Sequence, residues 1–322
     1  MPSAQPEPMV TVFGTGPSAA AYGRGLRHYD IAHTFTDPAL LGPEPDPNRL
    51  RRALRDSGDV VVTVPAAPQD LWWSTAALGA GRHCYEAENP YQDPEGLREL
   101  GRTARSRGLL AGTGPDTFLG STVRGGQAAL AEDVVGTVHG ARVWFGGPDP
   151  EQSRASARSV VDAVLSLFGD VTVVESVPEP AGSPGDAARP VCRLHTARGP
   201  AVEVYAAEDD QTARGTLVLD GTGGQVRLNG LRHYDRPLHV RLHEDEPWRD
   251  LDLGMAPTTD QAGALFRGPG VHDLIRALDG GAFAANVDRA AAAAEATALL
   301  LAAIGTGATP AQASAAVHEG AA

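Results

Sequence analysis

An apolar segment near the start of the chain runs directly into a glycine-containing turn. Residues 9–13 are rich in β-branched side chains, which predicts a buried strand, and small residues after position 16 predict the start of a helix. In such a unit Gly14 permits the tight turn and Gly16 lets the backbone approach a diphosphate, which binds at the helix N-terminus. A plain turn could carry the same short motif. The alternative that we pursue is a dinucleotide-binding turn formed by Gly14, Gly16, Pro17, Ser18 and Ala19.

Two further predicted strands favour the dinucleotide interpretation. Residues 31–37 predict the next strand, which ends in Asp37, about 20 residues after the glycines, where an acid binds the ribose 2′-hydroxyl. Residues 59–65 predict a mostly apolar strand of the parallel-sheet type. Asp37 favours NAD over NADP because a carboxylate repels a 2′-phosphate, whereas Arg24 and Arg27 leave the NADP alternative open.

The composition excludes several classes of function. A net charge of −13 over 322 residues argues against nucleic acid or an anionic membrane as the main partner. All 27 basic Lys or Arg residues are arginines, so neither a Schiff base nor a lysine acid can form. Cys84 and Cys192 are expected to be reduced core residues, and without a signal sequence we expect a cytoplasmic protein. The histidines of residues 231–246 fit either a metal site or, as we favour, a polar strand, and we predict no metal.

The order of the predicted elements indicates two domains. Strands alternate with helices over residues 1–112, which predicts a doubly wound parallel sheet, a Rossmann domain. Residues 113–322 predict an α+β domain with a large open, mainly antiparallel sheet. Its predicted helices are 123–133, 152–168, 270–278 and 289–304, and its predicted strands are 137–145, 171–177, 191–195, 201–206, 214–219, 225–228 and 238–242.

Three ordered motifs carry a resemblance to a known family. Residues 60–65 (VVVTVP), 76–90 (AALGAGRHCYEAENP) and 220–226 (DGTGGQV) are similar to blocks of the Gfo/Idh/MocA family, that is, glucose–fructose oxidoreductase, inositol dehydrogenase and relatives. The resemblance covers nearly the whole chain. It implies an NAD(P) cofactor, a homo-oligomer formed through the C-terminal sheet, and further cofactor contacts at Thr63, Val64, Pro65, Gln69, Glu88 and Asn89.

The departures from the family pattern concern proton transfer. Asn89 stands where the family has its catalytic lysine, and the family's Asp and His/Tyr positions correspond to Ala155 and Ser159. An amide cannot exchange a proton at neutral pH. We therefore expect a site with a nucleotide cradle but no side chain that carries a proton. The candidate catalytic residues implied by the resemblance are Asn89, Asp116, Ser159 and Asp162.

Two classes of function remain. The first is an NAD(P)-binding oxidoreductase that acts on a small polyhydroxylated or carbonyl metabolite in bacterial specialised metabolism. Its atypical, lysine-free site would either relay the proton through substrate groups and water or catalyse a redox-neutral elimination or cyclisation. The second is a non-catalytic ligand or cofactor sensor, or an accessory protein, that retains the fold. Within either class, Arg158 is a candidate for binding a carboxylate or phosphate of the ligand.

Overall fold

The chain forms two compact units. The computed structural model describes residues 8–36, 47–64, 71–87, 93–146, 150–177, 190–206, 215–233, 235–256 and 267–306. Unit 1 comprises Met1–Asp116 and Thr258–Ala292, and unit 2 comprises Thr117–Pro257 and Ala293–Ala322. The sequence predicts one boundary, between residues 112 and 113, so it assigns residues 258–292 to the other domain.

A parallel sheet forms the centre of unit 1. Its five strands lie in the order β2-β1-β3-β4-β5. They are β1 (Val10–Phe13), β2 (His33–Thr36), β3 (Val60–Thr63), β4 (His83–Glu86) and β5 (Ala111–Thr113). Every residue of β1 and β3 is buried, as expected where helices cover both faces of a parallel sheet. The predicted Rossmann-type sheet is confirmed.

Helices cover this sheet. They are α1 (Gly16–His28), α2 (Pro47–Arg55), α3 (Trp72–Gly79), α4 (Pro94–Ser106), α7 (Pro269–Leu278) and the first residues of α8 (Val287–Thr306). Asp93 caps the start of α4, because its carboxylate accepts hydrogen bonds from the backbone N–H groups of Glu95 and Gly96 at 3.2 and 3.0 Å. Helix α2 begins at Pro47, so it includes Asn48.

Residues 267–292 complete unit 1 at the edge of the sheet and over α1. The backbone N–H of Thr113 donates to the carbonyl of Ala285 at 3.2 Å, and Gly112 forms an antiparallel bridge with Asn286. At Tyr29, the residue that follows α1, the ring stacks on His272 with 4.2 Å between centroids. These contacts hold the segment within unit 1, whereas the predicted domain boundary after residue 112 stays a prediction.

Unit 2 is built on an eight-stranded sheet in the order β13-β12-β11-β10-β6-β9-β8-β7. The β6–β9 pair is parallel and the other pairs are antiparallel, which confirms the predicted mainly antiparallel sheet. The strands are β6 (Val138–Phe145), β7 (Val171–Ser176), β8 (Pro190–Thr196), β9 (Val202–Ala206), β10 (Thr216–Gly221), β11 (Gly224–Asn229), β12 (Leu238–Arg241) and β13 (Arg249–Leu251). The sequence analysis did not predict β13.

The two faces of this sheet differ in polarity. Along β6, Ala141, Val143 and Phe145 are buried, whereas Arg142 and Trp144 on the other face are half-buried. The buried face packs against α5 (Ser121–Ala131) and α6 (Pro150–Phe168). Strict alternation is what a sheet with one covered face requires. Within the described residues, every helix is too short or too polar to cross a lipid bilayer.

Candidate active site

The turn between β1 and α1 has the geometry that the sequence predicts. Thr15, Gly16, Pro17 and Ser18 are exposed, whereas Ala19 is buried. Gly16 has a φ of +78°, and a Cβ added there would meet no atom within 4 Å, so the space above it is open. A Cβ on Gly14 would lie 2.7 Å from that of Val64, because the ends of two strands converge at this point. The turn therefore presents bare backbone to the outside.

The N-terminus of α1 is equipped to bind an anion. Thr15, the N-cap residue, makes no side-chain capping bond, and the first turn of the helix contains no acidic residue. The first N–H groups of a helix lack partners within the helix, and together they carry a partial positive charge. An exposed turn of this kind fits a diphosphate. The turn does not indicate which groups the diphosphate carries.

The carboxyl ends of the parallel strands bring a row of residues into register. Thr36 of β2, Phe13 of β1, Thr63 of β3, Glu86 of β4 and Thr113 of β5 are successive Cα partners across the sheet. Among the described residues, the buried hydroxyl of Thr63 has no hydrogen-bond partner. Ligands of open α/β sheets bind at this edge, so the row lies where the chemistry of such a fold takes place.

Glu86 is the residue that the sequence analysis missed. It is 3 % exposed, and its carboxylate accepts a hydrogen bond from the hydroxyl of Ser74, in the first turn of α3, at 3.0 Å. Burial raises the pKa of the neighbouring Cys84 thiol, and the Glu86 charge raises it further. The family resemblance points to positions 89, 116, 155, 159 and 162 for the catalytic residues, and Glu86 is not among them. A charged residue directly after two apolar strand residues was the signal that could have identified Glu86.

Asp116 has a structural partner in unit 1. It is fully buried, and its carboxylate accepts the backbone N–H of Gly270, in the first turn of α7, at 2.7 Å. Burial raises the pKa values of Tyr22 and Tyr85, and the Asp116 charge raises both further. Asp116 therefore anchors α7, and its predicted catalytic role stays a prediction.

The candidate residues of unit 2 lie on α6, and their side chains form hydrogen bonds within that helix. The hydroxyl of Ser159 donates to the carbonyl of Ala155 at 3.1 Å. Arg158 Nε lies 2.9 Å from Asp162 Oδ2, and the two side chains are 2 % and 1 % exposed. An i,i+4 Arg–Asp pair is normally a surface feature, so its burial here is unusual.

The remaining predicted residues are placed as follows. Val64 donates its N–H to the carbonyl of Phe13 at 2.8 Å, which holds the end of β3 against β1. His195 points to the open face of the sheet, where its Nε2 lies 3.0 Å from the carboxylate of Glu175. His239 lies 3.0 Å from the Asn229 amide nitrogen, and among the described residues no cluster of three His, Cys, Asp or Glu could hold a metal ion. Outside the described residues lie Asp37, Pro65, Gln69, Glu88 and Asn89.

No protein-family model and no curated protein matches the sequence. Solved structures do match it over most of its length. An oxidoreductase from Agrobacterium radiobacter in complex with NAD+, L-tartaric acid and magnesium is 14% identical, with a TM-score of 0.66 over 94% of this chain and 97% of that one. Levoglucosan dehydrogenase in complex with NADH and levoglucosan is 16% identical, with a TM-score of 0.66 over 93% and 98%.

Biliverdin reductase from Synechocystis sp. PCC 6803, in complex with biliverdin and NADP+, is 17% identical, with a TM-score of 0.60 over 92% of this chain and 99% of that one. At such identities the likeness establishes the fold. The parallel five-stranded sheet and the large, mainly antiparallel sheet both agree with it. The chain thus has the fold of the Gfo/Idh/MocA-type oxidoreductases, as its motifs predict.

Proposed function

We propose that the protein is an NAD(P)-dependent oxidoreductase that acts on a small polyhydroxylated or carbonyl metabolite. The observation that carries the proposal is the exposed, uncapped N-terminus of α1, which follows a glycine turn with open space above Gly16. The three similar structures are complexes with NAD+, NADH and NADP+, which supports the same assignment here. Unit 1 would bind the dinucleotide, with its diphosphate at Gly16, Pro17 and Ser18.

A titration with reduced cofactors tests this proposal. Because Asp37 is predicted to bind the ribose 2′-hydroxyl, NADH should bind at least about tenfold more tightly than NADPH, as measured by nicotinamide fluorescence. NADH is expected to bind more tightly because the Asp37 carboxylate would repel the 2′-phosphate of NADPH. Tighter binding of NADPH would refute the assignment of Asp37. Absence of binding by both cofactors would overturn the proposed function.

One observation favours a second candidate function, a redox-neutral enzyme or a ligand sensor. Ser159 and Asp162, the polar residues on α6 at family positions, are hydrogen-bonded to Ala155 and Arg158. Turnover separates the candidates. Sugars and polyols are incubated with NAD, and the corresponding ketones with NADH. A dehydrogenase would change the nicotinamide absorbance, a redox-neutral enzyme would change only the substrate, and a sensor would change neither.

We further propose that the chain forms a homo-oligomer through the open face of the unit 2 sheet. The indole of Trp144 stacks on Tyr205 with 5.1 Å between centroids, and both residues are half-buried on this face. Beside them, Arg142 binds Asp220 through two hydrogen bonds of 2.9 and 2.7 Å. Aromatic and arginine side chains held in this way are typical of interface centres.

Replacing Trp144 tests the proposed interface. Trp144→Gln should weaken self-association at least about tenfold, since it removes a large apolar anchor from the centre of the face. Sedimentation velocity over a concentration series measures the effect. Met9→Gln serves as the control, because Met9 is 47 % exposed and belongs to unit 1. A wild-type protein that sediments as a monomer at all concentrations would contradict the proposal.

A further inference from the structure

Two arginines on the open face of the unit 2 sheet contact the same indole. Arg227 of β11 and Arg241 of β12 point away from α5, because Leu228 and Leu238, on the other side of these strands, pack on that helix. The guanidinium carbons lie 4.6 and 4.7 Å from the ring centre of Trp248. An indole attracts a cation placed near its face, and here one indole holds two of them.

No described carboxylate forms an ion pair with either arginine. Arg241 donates to two neutral oxygens, that of the Gln225 side chain at 2.5 Å and the backbone carbonyl of Glu244 at 3.1 Å. Two carboxylates of the adjoining segment are paired with other side chains, Glu246 with Arg249 at 3.6 Å and Asp250 with His239 at 3.3 Å. The two guanidiniums therefore bring two positive charges to one place without a matching negative charge.

Arg227 has the less favourable surroundings of the two. Its buried Nε has no hydrogen-bond partner within the part of the chain that the structure describes. Burial lowers the Arg227 pKa, and the charge of Arg241 lowers it further. Like charges repel more strongly where water is partly excluded, so the pair is unfavourable unless an anion accompanies it.

An open groove gives access to this pair. It has a volume of about 730 Å³ and crosses the open face from β8 to β12, where Gln225 and Arg241 form part of its wall. Arg227 follows Gln225 by two residues on β11, so it stands beside this wall on the same face. Both arginines of the pair are half-buried. The other two arginines of the groove are paired with carboxylates, Arg142 with Asp220 and Arg193 with Glu203.

The charge of the pair selects the class of ligand. A monocarboxylate would neutralise only one of the two guanidiniums. A phosphate monoester carries about 1.5 to 2 negative charges at pH 7 and three strong acceptor oxygens, so it matches both. The planar fork of a guanidinium also fits the spacing of phosphate oxygens. A phosphate group is therefore the anion that suits this end of the groove.

We propose that Arg227 and Arg241 form a binding site for a phosphate group, supplied either by free phosphate or by a phosphorylated small metabolite. Trp248 is the positioning residue, because its ring holds both guanidiniums. The site belongs to unit 2, whereas the turn that we propose for the cofactor diphosphate belongs to unit 1. It also lies towards the β13 edge of the sheet, with β10 between it and Trp144 on β6. The inference thus goes beyond the proposed oxidoreductase function.

Calorimetry with inorganic phosphate, D-glucose 6-phosphate and acetate tests the site at one pH and ionic strength. At least one of the two phosphates should bind at least about tenfold more tightly than acetate, because the dianion meets two cations. Tighter binding of the sugar phosphate would support a phosphorylated metabolite as the source, and tighter or equal binding of inorganic phosphate would support free phosphate. Absence of saturable binding by both phosphates, or acetate that binds as tightly, would overturn the proposal.

Arginine variants locate the bound phosphate. Arg227→Gln and Arg241→Gln should each weaken its binding at least about tenfold, since each removes one of the two charged forks. Arg249→Gln is the matched control, because Arg249 lies on the neighbouring strand, is 66 % exposed and pairs with Glu246. This variant removes the same charge and should bind phosphate within about twofold of the wild-type affinity. An equal loss in all three variants would show an effect of net charge alone and refute the site.

Ser18→Asp separates this site from the N-terminus of α1, which could also bind phosphate. An acid at that turn repels an anion there, and phosphate binding in unit 2 should persist in this variant. Loss of phosphate binding in Ser18→Asp, together with retention in Arg227→Gln, would place the phosphate at α1 and overturn the inference. Arg227→Gln should leave NADH binding unchanged. If the wild-type protein bound phosphate but not NADH, the proposed function would fail and the phosphate site would stand.

Discussion

Gly25→Ala is expected to destabilise the protein by about 3 kcal/mol or more, which corresponds to a fall in Tm of roughly 6–12 °C. A Cβ on Gly25 of α1 would overlap the backbone carbonyl oxygen of Arg267 and lie 2.8 Å from its carbonyl carbon. Backbone atoms cannot rotate away as a side chain can, so either α1 or the segment that leads into α7 must move. Thermal unfolding followed by circular dichroism measures the effect.

Gly79→Ala is the matched control. Gly79 is the exposed last residue of α3, and a Cβ there would meet no atom within 4 Å. Alanine favours helix over glycine, so this variant should stay within about 1 kcal/mol of the wild-type stability. Equal Tm values for the two variants would mean that residues 267–278 do not pack on α1.

Residues 258–292 return to unit 1 through contacts that are distant in the chain. A local sequence pattern does not indicate such contacts. Helix α7 has an apolar side, but that side does not by itself indicate which sheet it covers. Its location follows from contacts made across more than half of the chain, such as that between Gly25 and Arg267. Gly25 in the middle of a helix and Gly112 in a strand were visible signals of close packing, but neither one names its partner. The two kinds of sheet, one parallel and one mainly antiparallel, in contrast, followed from local periodicity and the family resemblance.

The candidate site divides in the same way. The turn at Gly14 and Gly16 is a local structure, so its residues and their spacing predict it completely. Glu86 and Arg158 acquire their significance from burial, which depends on the helices packed around them. A charge at the end of a strand and an i,i+4 Arg–Asp pair are ordinarily solvated. The sequence therefore shows the pair but not its environment.

Glu86 also changes what can be expected of the chemistry. The absence of lysine removes one kind of proton carrier, yet a buried carboxylate lies at the carboxyl edge of the sheet, hydrogen-bonded to Ser74. Carboxyl groups are among the side chains that act as general acids or bases. The lack of lysine therefore leaves a carboxyl group at this edge of the sheet, a type of proton-transfer group that the family comparison alone does not indicate.

Ser18→Asp is expected to weaken NADH binding about a hundredfold without destabilising the fold. Ser18 is exposed at the third position of α1, where the N-terminal turn contains no acid. A carboxylate about 5 Å from a diphosphate charge is repelled by about 3 kcal/mol at an effective dielectric constant near 20. The same carboxylate interacts favourably with the helix N-terminus, which should stabilise α1 by about 0.3–1 kcal/mol. Fluorescence titration and thermal unfolding measure the two effects.

The opposite signs of these effects make the test specific. A substitution that damaged the turn would lower the Tm and the affinity together, whereas an acid that occupies an anion site lowers the affinity while the Tm is unchanged or rises. Ser18→Asn, similar in size but uncharged, should retain binding to within a few-fold. If Ser18→Asp bound NADH as tightly as Ser18→Asn, no diphosphate would lie at the N-terminus of α1. The exposed turn at Gly16 would then be a feature of the fold and not of the cofactor site.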